Sequence, residues 1–257
     1  MTDPRRAVLA GLLLLGAPGT LVGQDAEEGT EGGAHGLGAD TEVLRETFDS
    51  EAGWMVLGED ESGLNELRDG RLFSSVVAPP SLFWMDVQLE ESVPVLRVEA
   101  QVLVGGSDGG AAGPACGSAS GLRRYLVAGV NDGGWWLGRL IDGRLQVIDQ
   151  GDLDAEGRPG EGFRVTIECA VVPAEGGDRV TMSIDGTPVD LDLPRLEIPV
   201  GPYDKAALLV GTDGRDGSAL FDDLVISVGE AYAPPARTTW PVPTRAPASR
   251  SGEPPVL

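Results

Sequence analysis

Residues 123–150 have the sequence Arg-Arg-Tyr-Leu-Val-Ala-Gly-Val, Asn-Asp-Gly-Gly, Trp-Trp-Leu-Gly-Arg-Leu-Ile, Asp-Gly and Arg-Leu-Gln-Val-Ile-Asp-Gln. Two turn sequences therefore join three β-prone apolar runs. Asp-Gly between two such runs is a strong hairpin signal, because a type I′ turn needs φ > 0 at both central residues. Successive side chains of a strand point to opposite faces, so Trp135 and Trp136 are expected on opposite sides. The stretch predicts three antiparallel strands.

The same signals recur on both sides of this stretch. Residues 95–104 and 163–172 alternate between apolar and polar positions, and Asp-Gly hairpin sequences stand at 69–70 and 185–186. In the first run, alternation places five side chains on the core face: Leu96, Val98, Ala100, Val102 and Val104. The 38 glycines and 19 prolines of the 257-residue chain favour short strands with tight turns. We predict an all-β fold, an antiparallel two-sheet β-sandwich or jelly roll, over residues 47–229.

Charge and histidine content exclude several classes of function. The formal net charge is −22, whereas nucleic acids and anionic membrane surfaces are bound by clusters of Lys and Arg. We therefore expect neither a nucleic-acid partner nor a membrane partner after leader cleavage. The only histidine, His35, precedes the predicted sandwich, so the folded part lacks the imidazole that Ser-His-Asp, Cys-His and most catalytic zinc sites use. Lys205 is the only lysine, which we attribute to coding bias.

The two ends of the chain differ from its middle in composition. Residues 1–23 are typical of a secretory signal peptide, since Arg5 and Arg6 precede an apolar run too short to cross a bilayer. The choice between general and twin-arginine export stays open. Residues 24–46, an acidic spacer, and residues 230–257, a Pro-rich tail, are predicted to be disordered because they bury little apolar surface. We expect a secreted protein, extracellular or in the cell envelope.

Cys116 and Cys169 are the only cysteines. An even number of cysteines in an exported chain predicts a disulfide, and the alternative is two free buried thiols.

Several segments, taken in order, resemble the concanavalin A-like (laminin-G-like) sandwich modules of secreted bacterial proteins over residues 47–229. They are Thr47-Phe-Asp with Trp54, Gly113-Pro-Ala-Cys116, Arg124-Tyr-Leu-Val-Ala-Gly-Val130, Trp136-Leu-Gly-Arg139, Phe163 to Cys169, Asp185-Gly186 and Phe221-Asp-Asp-Leu-Val-Ile226. The resemblance implies a jelly-roll fold and a disulfide between the two cysteines. Proteins with the fold that this chain resembles include sugar-binding modules, glucanases and domains of the 3-keto-disaccharide hydrolase type.

The resemblance also implies a structural calcium ion, the one cofactor that we consider. In such modules the ion lies between the first strand and the aspartates of the closing strand, which here are Asp49 and Asp222 or Asp223. The alternative is that these carboxylates cap strand ends. A second calcium alternative is the loop at 152–157, which matches part of an EF-hand pattern, although the residue at its twelfth position is Phe163.

Two patterns bear on carbohydrate chemistry. Glucanases of this fold carry Glu-x-Asp-x-Glu on one strand, and no such strand occurs here; the nearest spacing, at 152–156, is followed at once by Gly157 and Pro159 and is a loop. Sugar binding needs aromatic faces beside planar polar groups. The residues that offer these around the central hairpins are Trp135, Trp136, Tyr125, Arg123, Asn131 and Arg139.

The function that these observations favour is that of a secreted, non-catalytic binding module for carbohydrate or another extracellular ligand. Two alternatives stay open: a glycoside-processing enzyme of the same fold, of the glucanase or 3-keto-disaccharide hydrolase type, and a structural module without a small ligand.

Overall fold

The computed structural model describes residues 37–59, 62–76, 81–105, 110–118, 124–131, 133–153, 162–172, 177–191, 201–212 and 217–230. Their secondary structure consists of fifteen strands: β1 (Thr41–Glu46), β2 (Gly58–Glu59), β3 (Gly63–Arg68), β4 (Arg71–Val76), β5 (Ser81–Val93), β6 (Val95–Gly105), β7 (Gly110–Ser118), β8 (Arg124–Asn131), β9 (Gly134–Ile141), β10 (Arg144–Asp152), β11 (Phe163–Val172), β12 (Gly177–Ile184), β13 (Thr187–Pro188), β14 (Tyr203–Thr212) and β15 (Gly217–Gly229). Within these ranges no helix is long and apolar enough to span a membrane.

The strands form two antiparallel sheets. The nine-stranded sheet has the order β13-β12-β11-β6-β15-β4-β3-β2, with β1 also paired to β15, and the six-stranded sheet has the order β10-β9-β8-β7-β14-β5. The two sheets pack face to face around a shared apolar core. The predicted all-β, two-sheet sandwich is therefore confirmed.

The central stretch forms β8, β9 and β10, three neighbouring antiparallel strands as predicted. Asp142 and Gly143, between β9 and β10, have φ values of 52° and 76°. The Asp-Gly pairs at 69–70 and 185–186 also have positive φ at both residues, 52° and 72° in the first and 52° and 77° in the second, as a type I′ hairpin turn requires. Asp tolerates this left-handed conformation and Gly adopts it without steric cost, so the local sequence is enough to specify these turns.

The core lies between the two sheets, where the inward positions of β6 are fully buried as predicted. Only Val104, near the end of that strand, is half-buried and packs at the core's margin. A second apolar cluster lies on the outer face of the six-stranded sheet. We call it the outer cluster; it contains Ala115, Tyr125, Val127, Trp136, Leu140, Ala207 and Leu209.

The structure corrects the predicted start of the folded part. Residues 41–46, assigned above to a disordered spacer, form β1, and this strand pairs with residues 224–228 of β15. A mostly exposed strand at a sheet edge needs backbone partners more than apolar side chains, which explains why its acidic sequence did not reveal it. Thr47-Phe-Asp lies after this strand, and Phe48 has a φ of 58°. The leader, the first part of the spacer and residues 231–257 lie outside the described residues.

The two cysteines belong to different sheets, Cys116 to β7 and Cys169 to β11. Both are buried free thiols in this structure, so the predicted disulfide is not shown. The thiols are neighbours: burial, and then a hydrogen bond with Cys116, raise the pKa of Cys169 well above its usual value. The Cys116 thiol also lies 3.4 Å from the Leu96 carbonyl oxygen, to which it donates.

Candidate functional site

Small residues of β7 occupy the middle of the outer face of the six-stranded sheet. Strand pairing places Ala111, Gly113, Ala115 and Gly117 of β7 on this face, next to the outward positions of β8 and β14. Large rings from neighbouring strands fill the space that this leaves. The Tyr125 ring lies against Gly117, where a Cβ would overlap it, and the Trp136 indole lies against Gly129 in the same way. These two aromatic rings therefore cover the backbone at the two glycines on this face.

The Asp86 carboxylate and the Lys205 ammonium group form an ion pair on this face, beside β5. The Tyr125 hydroxyl donates to Oδ1 of Asp86 at 2.8 Å, and Nζ of Lys205 donates to Oδ2 at 2.9 Å. Asp86 belongs to β5, Lys205 to β14 and Tyr125 to β8, so the contact joins three strands of one sheet. The Lys205 and Asp86 side chains are only 15% and 23% exposed. Lys205 is the only lysine of the chain.

Two further side chains of β5 share this face with Asp86, because they lie two positions to either side of it. Trp84 is half-buried, and Gln88 is exposed with its amide nitrogen donating to the Asp204 carbonyl oxygen at 2.9 Å. We call Trp84, Asp86, Gln88 and Lys205 the β5 site. It offers an aromatic ring, a carboxylate, an amide and an ammonium group along one edge strand and its neighbour.

The β5 site has the groups for hydrogen bonding but not the carboxylate pair of a typical glycosidase. The next carboxylate along β5 belongs to Glu90, four residues beyond Asp86, in a segment where the pairing with β14 shifts register. A retaining mechanism needs carboxyl groups about 5 Å apart, and an inverting one about 6.5–9.5 Å. The β5 site itself contains one carboxylate, that of Asp86, whereas either mechanism uses two.

The two tryptophans predicted at the ligand site lie on opposite faces of β9. Trp135 packs at the margin of the main core, with its indole against Gly151 of β10. Trp136 faces outward but is only 4% exposed, and Tyr125 is only 1% exposed. Among the described residues the Trp136 indole N–H has no hydrogen-bond acceptor. Both rings are therefore buried in this structure, and they pack beside the β5 site instead of presenting a ring face to a ligand.

The other predicted ligand residues have separate local roles. Asn131 accepts the backbone N–H groups of Gly133 and Gly134 at 3.1 and 2.7 Å, which closes the turn before β9. Arg139 projects from the opposite face of its strand and donates to Gln146 of β10. Arg123 lies outside the described residues. Apart from Tyr125, this set is therefore not gathered around Asp86.

The residues predicted to bind calcium line a common cleft on the outer face of the nine-stranded sheet. This cleft of about 740 Å³ includes Asp49, Asp222 and Asp223 in its lining. Arg71 pairs with Asp222, and Arg164 with Asp223, each at 3.3 Å. Across the described parts of the chain, no group of three or more His, Cys, Asp or Glu side chains has an arrangement that could hold a metal ion. The calcium site stays a prediction.

Sequence reasoning missed Asp86 and Lys205, although one signal was available. From Phe83 to Leu89 the odd-numbered positions are apolar, while Asp86, Gln88 and Glu90 occupy even-numbered positions. This alternation predicts that the three polar side chains share one face of a strand. It does not predict the partner, because Lys205 is 119 residues away.

Comparisons with known proteins support the fold. No family model and no curated protein matches the chain. A solved structure of a protein of unknown function with a galectin-like fold from Bacillus subtilis has a TM-score of 0.51 and 13% identity over 75% of this chain and 98% of that one. A lichenase from a mouse hindgut metagenome has a TM-score of 0.48 and 12% identity over 74% of this chain and 100% of that one. A laminarinase catalytic domain from Thermotoga petrophila RKU-1 has a TM-score of 0.46 and 11% identity, over 74% and 98%. The fold is a concanavalin A-like β-sandwich.

Proposed function

We propose that this protein is an exported, non-catalytic carbohydrate-binding module, and that the β5 site binds the sugar. The observation that carries the proposal is the ion pair between Lys205 and Asp86 on a largely apolar face. Removing two charges from water costs about as much free energy as their attraction returns, so a half-desolvated pair adds little net stability. Its presence among aromatic and aliphatic side chains is better explained by a role in binding.

The hydrogen-bonding capacity of the pair fits a polyhydroxylated ligand. Only one of the three Lys205 N–H donors has an acceptor among the described residues, Oδ2 of Asp86. Each carboxylate oxygen of Asp86 accepts one hydrogen bond there and has capacity for another. Two sugar hydroxyl groups, which both donate and accept, would use these spare positions. The hydrogen bond from the buried Tyr125 hydroxyl fixes the orientation of the Asp86 carboxylate.

The neighbouring side chains complete the chemistry that sugar binding requires. Trp84 provides an aromatic surface on the same strand face as Asp86, and the apolar C–H faces of a pyranose ring pack on such surfaces. The exposed amide of Gln88 extends the row of polar groups along β5. The pairing of Lys205 with Asp86 keeps the site near electrical neutrality, which favours a neutral glycan. The presence of a single carboxylate in the β5 site supports binding rather than hydrolysis.

Binding and turnover are measured separately to test the proposal. The exported protein is applied to a glycan array, its best ligand is titrated by calorimetry, and release of reducing sugar from β-glucans is assayed. We expect binding without hydrolysis. Lys205→Met should weaken binding by at least about tenfold, the loss of one or two charged hydrogen bonds. The matched control Arg71→Met, which breaks the exposed Arg71–Asp222 pair on the other sheet, should change affinity less than about twofold.

Three results would contradict the proposal. Hydrolysis of a β-glucan by the unaltered protein would make it a glycoside-processing enzyme. A silent array would make it a structural module. Equal losses of affinity in Lys205→Met and Arg71→Met would move the ligand away from the β5 site.

A further inference from the structure

The hairpin of β9 and β10 carries a second group of polar side chains, far from the β5 site in the strand order. Strand pairing aligns Arg139 with Gln146 and Ile141 with Arg144, so these four side chains share one face of the hairpin. Two residues earlier on this face, Leu137 is fully buried in the core, whereas Arg139 is half-buried. The face therefore leaves the core after Leu137. It lines a cleft of about 630 Å³ together with Asp142.

The two arginines of this cleft lack carboxylate partners. Nε and Nη2 of Arg139 donate to Oε1 of Gln146 at 2.9 and 2.8 Å, and the rest of its guanidinium has no acceptor among the described residues. In the same ranges Arg144 has no hydrogen-bond or ion-pair partner. Other cationic side chains do pair with carboxylates, namely Arg45, Arg68, Arg71, Arg97, Arg164 and Lys205. In a chain of net charge −22, two unpaired arginines in one cleft are unexpected.

The closeness of Arg139 and Arg144 is electrostatically unfavourable in the protein without a ligand. Arg139 and Arg144 are diagonal neighbours across the strand pair, a relation that corresponds to about 7–8 Å between residues, and like charges so placed repel. Asp142 lines the same cleft without forming an ion pair to either arginine. Gln146, meanwhile, fixes the Arg139 guanidinium in one orientation. A fixed guanidinium beside a second one suits a planar anion, because it loses little side-chain entropy on binding.

We propose that Arg139 and Arg144 bind the carboxylate group of an acidic sugar, a hexuronate within a glycan chain. Guanidinium groups match the planar geometry of a carboxylate and donate to it in pairs. A chain carrying one charge per sugar also suits this protein better than a densely sulfated one, since the net charge of −22 repels polyanions. At physiological salt this long-range repulsion is screened beyond about 8 Å, so the local arginines dominate at the cleft.

The test uses the exported protein and polygalacturonate as the probe, titrated by calorimetry. Fully methyl-esterified polygalacturonate is the neutral counterpart of the same chain, and dextran sulfate supplies anions of another chemistry. We expect polygalacturonate to bind and its methyl ester not to bind. Arg144→Gln and Arg139→Gln should each weaken binding by at least about tenfold. Arg45→Gln, an equal change of charge at an exposed pair on the other sheet, should change it less than about twofold.

Each other outcome overturns the proposal in a defined way. No binding of polygalacturonate, or an equal loss in Arg45→Gln and Arg144→Gln, removes the site. Tighter binding of dextran sulfate with the same sensitivity to Arg144→Gln removes the selectivity for carboxylates. Failure here is distinguishable from failure at the β5 site, because the β5 site is tested with the neutral ligand found on the array and Lys205→Met, whereas this cleft is tested with polygalacturonate and the two arginine variants.

Discussion

The outer face of the nine-stranded sheet carries a network of ion pairs made by exposed arginines, whereas the outer face of the six-stranded sheet is mostly apolar and carries one ion pair, between Lys205 and Asp86. On the first, Glu99, which is 15% exposed, accepts from Arg97 at 3.0 Å and from Arg164 at 2.8 Å, and these arginines are 41% exposed. On the second, Lys205 and Asp86 lie beside Tyr125 and the outer cluster. Exposed pairs contribute about 0–1 kcal/mol each, so the first face gains solubility more than stability.

The difference teaches where to look for function on a charged protein. The many carboxylates of the first face are accounted for by arginine partners and solvent. The single ion pair of the second face has no such account, because apolar residues would pack there equally well. The isolated polar contact is therefore the more informative one.

The largest expected effect concerns the contact between the two sheets that bear these faces. If Cys116 and Cys169 form a disulfide after export, the loop of about 53 residues that it closes is worth about 4 kcal/mol in the free energy of unfolding. Thiol titration of the exported protein in denaturant should then find no reactive thiol, and reductant should lower its stability by that amount. Two titratable thiols before reduction would show that the cysteines stay free, as they are in this structure.

The next effect concerns the packing of the Trp136 indole on the outer face of the six-stranded sheet. A Cβ at Gly129 overlaps the Trp136 indole, so Gly129→Ala should lower the free energy of unfolding by about 3 kcal/mol. Gly133→Ala is the matched control, since nothing lies within 4 Å of a Cβ at that position, and it should change stability by less than about 0.5 kcal/mol. Urea unfolding measures both. Equal stabilities of the two variants would mean that the ring moves aside without cost.

A third experiment compares an ion pair from each face. Asp86→Ala leaves the mostly buried Lys205 ammonium unpaired and should cost about 2 kcal/mol. Adding Lys205→Met should restore part of the loss, because it removes the unpaired ammonium, although the buried Tyr125 hydroxyl still lacks the Asp86 acceptor. Arg71→Ala, which removes the 43% exposed arginine from its pair with Asp222 on the other face, should cost less than about 1 kcal/mol. Failure of the double variant to recover stability would show that the Asp86–Lys205 pair is structural.

The smallest effect is the pH dependence of the charged face. Burial alone would raise the pKa of Glu99, but hydrogen bonds from Arg164 and Arg97 outweigh it and lower the pKa below its ordinary value of 4.5. A lowered pKa means that the stability from this carboxylate is present at neutral pH and is lost as the pH falls below 4.5. Glu99→Gln should therefore be about 1 kcal/mol less stable at pH 7, with the gap closing in acid. A gap independent of pH would contradict this.

The parts of the fold that depend on neighbouring residues could be predicted from the sequence. The three Asp-Gly turns and the alternation of β6 are local, and they specify hairpins and a buried face without knowledge of the rest. The opposite orientation of Trp135 and Trp136 follows from the same alternation. The strand β1 could not be found in this way, because its partners lie on β15, about 180 residues later, and its own sequence is acidic.

The candidate site depends on contacts between strands that are distant in the chain. Asp86 meets Lys205 only because β5 and β14 pair in one register, and it meets Tyr125 because small residues on β7 leave the space between. No pattern within either strand contains this information. The presence of one lysine in the whole sequence was visible, but its meaning depended on where the fold placed it.

The pairing of β1 with β15 brings the two ends of the described chain together. The carbonyl of Gly38 lies so close to Gly229 that no larger residue would fit there. Gly38 and Gly229, near the two ends of the described part of the chain, therefore lie side by side at the nine-stranded sheet. Such a module can be inserted into a longer polypeptide, or be circularly permuted by joining residues 37 and 230 through a short linker, while the opposite side stays free to face its surroundings.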